Sequence, residues 1–243
     1  MSEDFQRPQE DPQDQQQQTS GSGVSDGLVT FLDPEGVAAE AYRTLRTNLI
    51  YALVDEPPEV IVLTSANPQE GKSTVCANLG VVLAQAERST LILDCDLRRP
   101  SLHQIFGLRN MRGLVDVVAG GREPAGVWRE PVENLRVITS GPIPPNPTEL
   151  LGSKRFSEFL SAIRREFDYV LLDAPPVGLV SDPSILASQG DGVLLVLDAQ
   201  KTRKAALRQS RRSLEAVGAK VFGTVMSNVG GSTAGYYGKQ AYK

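Results

Sequence analysis

Apolar residues in this chain fall into short unbroken runs, separated by segments where they recur at helical spacing. The runs cover residues 60–64, 90–93, 135–138, 169–172, 192–197 and 221–226. Each is almost uniformly apolar, the pattern of strands covered on both faces of a parallel sheet. Helical patterns lie between several of them, over 72–85, 153–167, 183–188 and 201–217. An earlier helix is expected where Pro34, Glu35 and Gly36 open a stretch through Ala39, Leu45, Leu49 and Tyr51, with Pro57 and Pro58 ending it. The repeated strand–helix alternation predicts an α/β fold with a doubly wound, mostly parallel sheet flanked by helices. Ligands of such folds bind beyond the carboxyl ends of the strands.

The two ends of the chain lack this periodicity. Residues 1–27 are rich in Gln, Asp, Ser and Gly, with Phe5 almost the only large apolar side chain. Such a segment buries too little surface to offset its ordering entropy and reads as a disordered tail. The folded domain is expected over 28–228, and 229–243 forms a flexible Gly/Tyr-rich C-terminal tail. A formal net charge of −4 gives no support to nucleic-acid binding. No apolar run approaches the ~18 residues of a membrane span, and the N-terminus is not a secretory signal. Cys76 and Cys95 have no metal-ligand spacing, so a reduced, cytoplasmic setting is expected.

Three predicted strand ends carry chemistry. The first is Thr64-Ser65-Ala66-Asn67-Pro68-Gln69-Glu70-Gly71-Lys72-Ser73-Thr74, which follows a strand and opens a helix as a P-loop does. Residues 67–74 would cradle the phosphates of ATP at the helix N-terminus, through the backbone N–H groups of all but Pro68. Lys72 would reach the β- and γ-phosphates, Ser73 would coordinate Mg²⁺, and Thr74 would bond the α-phosphate. Ala66 stands where the usual first glycine would be. The second end is Asp94-Cys95-Asp96-Leu97-Arg98-Arg99-Pro100. Strand alternation would point Asp94 and Asp96 the same way, where they repel unless a cation or proton intervenes. A helix cap is the simpler reading, and it suits Asp96 better than both. The third end is Asp173-Ala174-Pro175-Pro176, an apolar strand closing on an aspartate in the manner of a Walker B element.

Together these motifs resemble the bacterial tyrosine kinases of capsule and exopolysaccharide assembly. Glu40-Ala41-Tyr42-Arg43-Thr44-Leu45-Arg46-Thr47-Asn48 is similar to that family's E-x-x-R-x-x-R-x-N helix, and 94–98 to its Walker A′ motif. The segment Pro144-Pro145-Asn146-Pro147-Thr148-Glu149-Leu150-Leu151 also resembles a family segment, and the likeness spans roughly residues 30 to 243. The family's P-loop commonly lacks the first glycine, and Gln69 replaces a frequent glycine. The resemblance implies that Asp94 accepts the proton of the incoming tyrosine, while Asp96 and Asp173 order the Mg²⁺ shell. It implies trans-autophosphorylation of Tyr236, Tyr237 and Tyr242 in the tail. Glu40, Arg43 and Arg46 would join subunits in a ring, whereas the residues alone suggest only i, i+3 pairing.

The resemblance also implies a separate membrane adaptor of the polysaccharide co-polymerase type, recruitment to the inner face of the plasma membrane, and a tyrosine phosphatase as counterpart. Lys204, Arg208 and Arg212 read as a solvated helix face, or as a site for an acidic or phosphorylated segment. His103 reads as structural, and Asn228 as an adenine contact. A ParA/MinD-type positioning ATPase is a rival reading, although Asn67 stands where those proteins usually carry a lysine. The absence of any Cys-x-x-Cys disfavours an iron–sulphur assembly ATPase. A non-catalytic ATP-binding scaffold of an export complex is the alternative from outside the enzymes.

Overall fold

The computed structural model describes residues 23–52 and 58–230. Residues 1–22 and the tail tyrosines Tyr236, Tyr237 and Tyr242 lie outside the described residues. The first helices among the described residues are α1 (Val29–Leu32) and α2 (Val37–Ala52). The chain continues as β1 (Val60–Ser65), α3 (Lys72–Ala84), β2 (Thr90–Asp94), α4 (Leu102–Ile105) and α5 (Leu114–Val118). Next come β3 (Arg129–Val132), β4 (Leu135–Ile138), α6 (Pro147–Leu151), α7 (Lys154–Ile163) and β5 (Tyr169–Asp173). The last described elements are α8 (Asp182–Ala187), β6 (Gly192–Asp198), α9 (Lys204–Glu215) and β7 (Val221–Ser227).

The strands form one seven-stranded sheet in the order β3-β4-β2-β5-β1-β6-β7. All neighbours are parallel except the β3–β4 pair. Six strands coincide with the six apolar runs of the sequence, five of them one residue longer. The sequence reading missed β3, whose Arg-Glu-Pro-Val stretch has no apolar run and is half exposed. It is an edge strand, the position where a proline such as Pro131 is tolerated.

Strand pleating explains why the central runs are apolar throughout. Val60 and Val62 of β1 pack into one hydrophobic cluster with Phe156 and Leu160 of α7. Ile61 and Leu63 face the opposite cluster with Val75, Leu79 and Leu83 of α3. Helix α3 lies between the sheet and α2, and every residue in it except Thr74 is buried. Gly80 permits that close approach, because a Cβ there would sit 2.5 Å from Ile92 Cδ1.

Contacts with the core already occur ahead of residue 28, where the folded domain is expected to start. Val24 packs against the core, Ser25 N–H donates to Ile105 O, and Gly27 O accepts from Asn78 Nδ2. These contacts run mainly through backbone atoms of small residues and leave no hydrophobic signal in the sequence.

Candidate active site

The P-loop joins β1 to α3 at the carboxyl edge of the sheet. Gln69 and Gly71 adopt left-handed backbone conformations, with φ of 60° and 86°. Such a turn directs successive N–H groups into a concave anion nest. Buried Glu70 holds the loop in shape: its carboxylate accepts from Asn67 N–H at 2.9 Å and Asn67 Nδ2 at 2.8 Å. Thr202 Oγ1 donates to the same carboxylate at 2.5 Å, and Ser227 Oγ donates to Glu70 O at 2.7 Å. Glu70 thus ties the loop through its carboxylate to the segment after β6 and through its carbonyl to the end of β7.

Lys72 points along the strand ends into a buried acidic cluster. Its Nζ lies 2.9 Å from Asp96 Oδ2 and 3.3 Å from Asp173 Oδ1, and donates to Ser73 Oγ at 3.0 Å. Burial alone would lower the Lys72 pKa, but Asp173 and Asp96 outweigh it and hold the ammonium charged. Asp94 and Asp173 are fully buried, and register pairs them across β2 and β5. Burial pushes the Asp94 carboxyl well up, reinforced by Asp173 and opposed by Lys72. Burial also raises Asp173, against the pull of Lys72. Asp94 Oδ1 and Asp173 Oδ2 are buried without a hydrogen-bond partner.

Asp94 and Asp96 both act on the Lys72 ammonium, although only Asp94 belongs to the strand. Strand β2 stops at Asp94, and Asp96 lies in the turn beyond it. Asp94, not Asp96, accepts from the backbone N–H groups of Ser101 and Leu102 at the start of α4, both at 3.1 Å. Asp96 reaches Lys72 and closes its own turn by accepting from Arg99 N–H at 3.0 Å. The capping role the sequence suited to Asp96 therefore belongs to Asp94.

A second ionic cluster buttresses this turn. Arg98 Nε meets Asp182 Oδ2 at 2.7 Å, and Arg98 Nη2 donates to Thr148 Oγ1 at 2.9 Å. Thr148 Oγ1 in turn donates to Asp182 Oδ1 at 2.5 Å. The β2 turn is thereby fastened to the N-termini of α6 and α8.

On the other side of the P-loop, Asn67, Pro68, Glu70, Lys201, Arg203 and Ala206 line a cavity of about 410 Å³. Asn228 stands near this rim, its Nδ2 3.4 Å from Asp198 Oδ2, while Gln200 Nε2 donates to Asn228 O at 3.1 Å. Hydrogen bonding from Gln200 N–H holds the Asp198 carboxyl below its ordinary range.

Residues 56–241 match the ParA family, described as NUBPL iron-transfer P-loop NTPase. Tyrosine-protein kinase YwqD of Bacillus subtilis (strain 168) is 39% identical over 223 residues, which cover 90% of this chain and 94% of that protein. The chain belongs to the bacterial tyrosine-protein kinase family. Among solved structures, the chimerical protein CapA2B2 is 35% identical with a TM-score of 0.80, covering 86% of this chain and 93% of that one. The kinase domain of Escherichia coli tyrosine kinase ETK is 31% identical with a TM-score of 0.81, covering 89% and 83%.

The P-loop NTPase fold of this kinase family implies a nucleotide bound with a divalent metal. The donor set fits: Ser73 Oγ lies beside Lys72, and an unpartnered oxygen of Asp173 faces the same cluster. Among the described residues no three His, Cys, Asp or Glu side chains are grouped to hold a metal unaided. A hard ion such as Mg²⁺ keeps waters and is shared with phosphates, so it needs no such group.

Several expectations concern residues away from this centre. Glu40 pairs with Arg43 at 2.7 Å, Arg43 Nη1 donates to Pro34 O, and Arg46 Nη1 donates to Val82 O of α3. All three have contacts within their own chain. Lys204, Arg208 and Arg212 form an exposed face of α9, and His103 sits half-buried with its pKa lowered by desolvation. Asp182, Asp198, Lys201, Thr202 and Arg203 were missed from sequence. Asp198 had a signal, since it closes an apolar strand just as Asp173 does. No described helix is long and apolar enough to cross a membrane.

Proposed function

We propose that this chain transfers the γ-phosphoryl group of Mg²⁺-bound ATP to protein tyrosine, its own Tyr236, Tyr237 and Tyr242 included, between copies. The observation that carries this reading is Lys72, anchored between two buried aspartates of neighbouring strand ends beside a preformed anion nest. Lys72 would leave the carboxylates for the β- and γ-phosphates, as the backbone of residues 67–74 receives the rest of the triphosphate. Ser73, Asp96 and Asp173 would hold Mg²⁺, the aspartates partly through water. When bound, that ion neutralises charge building up on the transferred group. Asp94 Oδ1 is the oxygen left over by the α4 cap. It would take the phenolic proton as the tyrosine oxygen bonds to the γ-phosphorus and the bridging oxygen departs with ADP. Asn228, with Gln200 and Asp198, would flank the purine.

Relatives named CapB, EpsB and CpsD support a role in capsule or exopolysaccharide production, and the chain would act at the inner face of the plasma membrane. An adaptor of the co-polymerase type would activate the chain and a phosphatase would reverse it. Glu40, Arg43 and Arg46 would contribute to a ring of copies, though Arg46→Ala also removes a contact to α3.

The test mixes two full-length proteins: Lys72→Met with an intact tail, and an otherwise wild-type chain with Tyr236, Tyr237 and Tyr242 changed to Phe. With Mg²⁺-ATP and a candidate adaptor tail, mass spectrometry should find phosphotyrosine in the tail of the Lys72→Met copy. Unmodified tails, with wild type equally unmodified, would overturn the kinase reading and favour a nucleotide-binding scaffold.

A further inference from the structure

Formal charge is distributed unevenly along this chain. Residues 1–22 contain Glu3, Asp4, Glu10, Asp11 and Asp14 against the single Arg7, which accounts for the whole net charge of −4. The remainder, 23–243, is formally neutral. Within that neutral remainder, residues 97–115 carry Arg98, Arg99, Arg109 and Arg112 and no carboxylate.

This basic segment lies on the rim of the active site. Arg99 follows Asp96 in the turn after β2 and directly precedes α4. Arg112 is fixed beside the end of β4, where its carbonyl accepts from Thr139 Oγ1 at 3.2 Å. Strands β2 and β4 are neighbours, Leu93 opposite Ile138, so both arginines stand at the carboxyl ends of adjacent strands. Arg98 is committed to Asp182. Arg99 and Arg112 are exposed and make no ion pair with any described residue. Between Arg112 and Arg109, Met111 is 78% exposed.

The N-terminal segment enters the fold at this place. Ser25 N–H donates to Ile105 O, the last residue of α4, and Arg99 stands just before the other end of that four-residue helix. Eight residues lie between Asp14 and Gly23, so even fully extended the chain between the two spans at most about 32 Å. The acidic residues are therefore held near the arginines at high effective concentration.

We infer that Arg99 and Arg112, with exposed Met111 next to Arg112, form a docking surface for the acidic N-terminal segment of the same chain. Charge selects this occupant over the other end of the chain: residues 231–243 contain Lys239 and Lys243 and no carboxylate. Residues 23–243 of a second copy are formally neutral and supply no net counter-charge.

A photo-crosslink reads this contact without any need for catalysis, so its failure is separate from failure of the kinase reading. The full chain carries a benzophenone amino acid in place of Phe5 and is irradiated as a mixture of isotope-labelled and unlabelled copies. The expected product is an intrachain link from position 5 to peptides within 97–115. Its yield should fall about tenfold in Arg99→Glu/Arg112→Glu, and comparably in about 0.5 M salt. A second variant neutralises the segment (Glu3→Gln, Asp4→Asn, Glu10→Gln, Asp11→Asn, Asp14→Asn) without touching the described fold, and should lose the link to the same degree. Links scattered over the surface, links only between copies, or a yield indifferent to both variants would overturn the proposal.

Discussion

Two buried ionic clusters stand a few residues apart, and they are built to different degrees of completion. Around Asp182 every carboxylate oxygen is engaged, by Arg98 on one side and by Arg98 and Thr148 on the other. Around Lys72 one ammonium faces Asp96 and Asp173 while Asp94 and Asp173 each keep an unpartnered buried oxygen. An unsatisfied buried carboxylate oxygen is costly, so a fold retains one chiefly where a ligand completes it. The complete cluster fixes the turn, and the incomplete one awaits charge.

Breaking the incomplete cluster should have the largest effect. Lys72→Met is expected to reduce tyrosine phosphorylation about 10²–10³-fold. It also strands the buried aspartates, at about 3 kcal/mol, which calorimetry would read as a Tm lower by about 6–12 °C. Lys72→Arg sharpens the point: it should recover more of the stability than of the transfer rate, because a guanidinium restores charge but not reach. Equal recovery of both would mean that Lys72 is structural.

The complete cluster should respond more mildly. Arg98 is 41% exposed at its side chain, so its ion pair is discounted for screening, and Arg98→Ala should cost about 1–2 kcal/mol. If the pair positions the Asp96 turn, kcat should fall about tenfold with a smaller change in KM for ATP. A KM effect alone would refute that positioning role.

Asp94→Asn tests the mutual repulsion directly. The raised carboxyl binds its proton more tightly in the folded chain than in the unfolded one. Its contribution is therefore complete below the ordinary carboxylate range and is lost as pH rises through the raised value. Asn keeps an acceptor for the α4 cap and carries no charge. Nucleotide-free Asp94→Asn should melt about 2–4 °C above wild type near pH 8, with a smaller gap near pH 5. A gap that shrinks as pH rises would contradict this assignment.

The smallest effect is expected at Glu70→Gln, which weakens the clasp on Asn67 and Thr202. Calorimetric titration should show nucleotide binding reduced a few-fold, with Tm nearly unchanged.

Much of this arrangement was legible before any coordinates. The six apolar runs became six strands, because central parallel strands are covered on both faces and show it in composition. The P-loop and Asp173 were legible because a strand end, a glycine and a helix start are local signals. What escaped was set by contacts distant in sequence. Thr148 and Asp182 meet Arg98 across 50 and 84 residues, and Thr202 meets Glu70 across 132. No periodicity announces such pairs. The α4 cap falls to Asp94 rather than Asp96 for a local reason: the chain turns as soon as β2 ends at Asp94. Strand β3 lacked any apolar run, and is recruited by its antiparallel partner at the edge.

Ser25 anchors against α4, and Ser227 ends β7 beside the P-loop. The described chain thus enters and leaves at the edge that holds the nest. Anyone attaching an affinity handle or fluorescent reporter to either end would be loading the working face of the protein. The opposite edge offers a quieter place. The turn between α3 and β2, where exposed Glu87 adopts φ of 59°, is remote from every strand end that carries chemistry. A short glycine-rich insertion there would carry a label and leave the carboxyl edge of the sheet untouched.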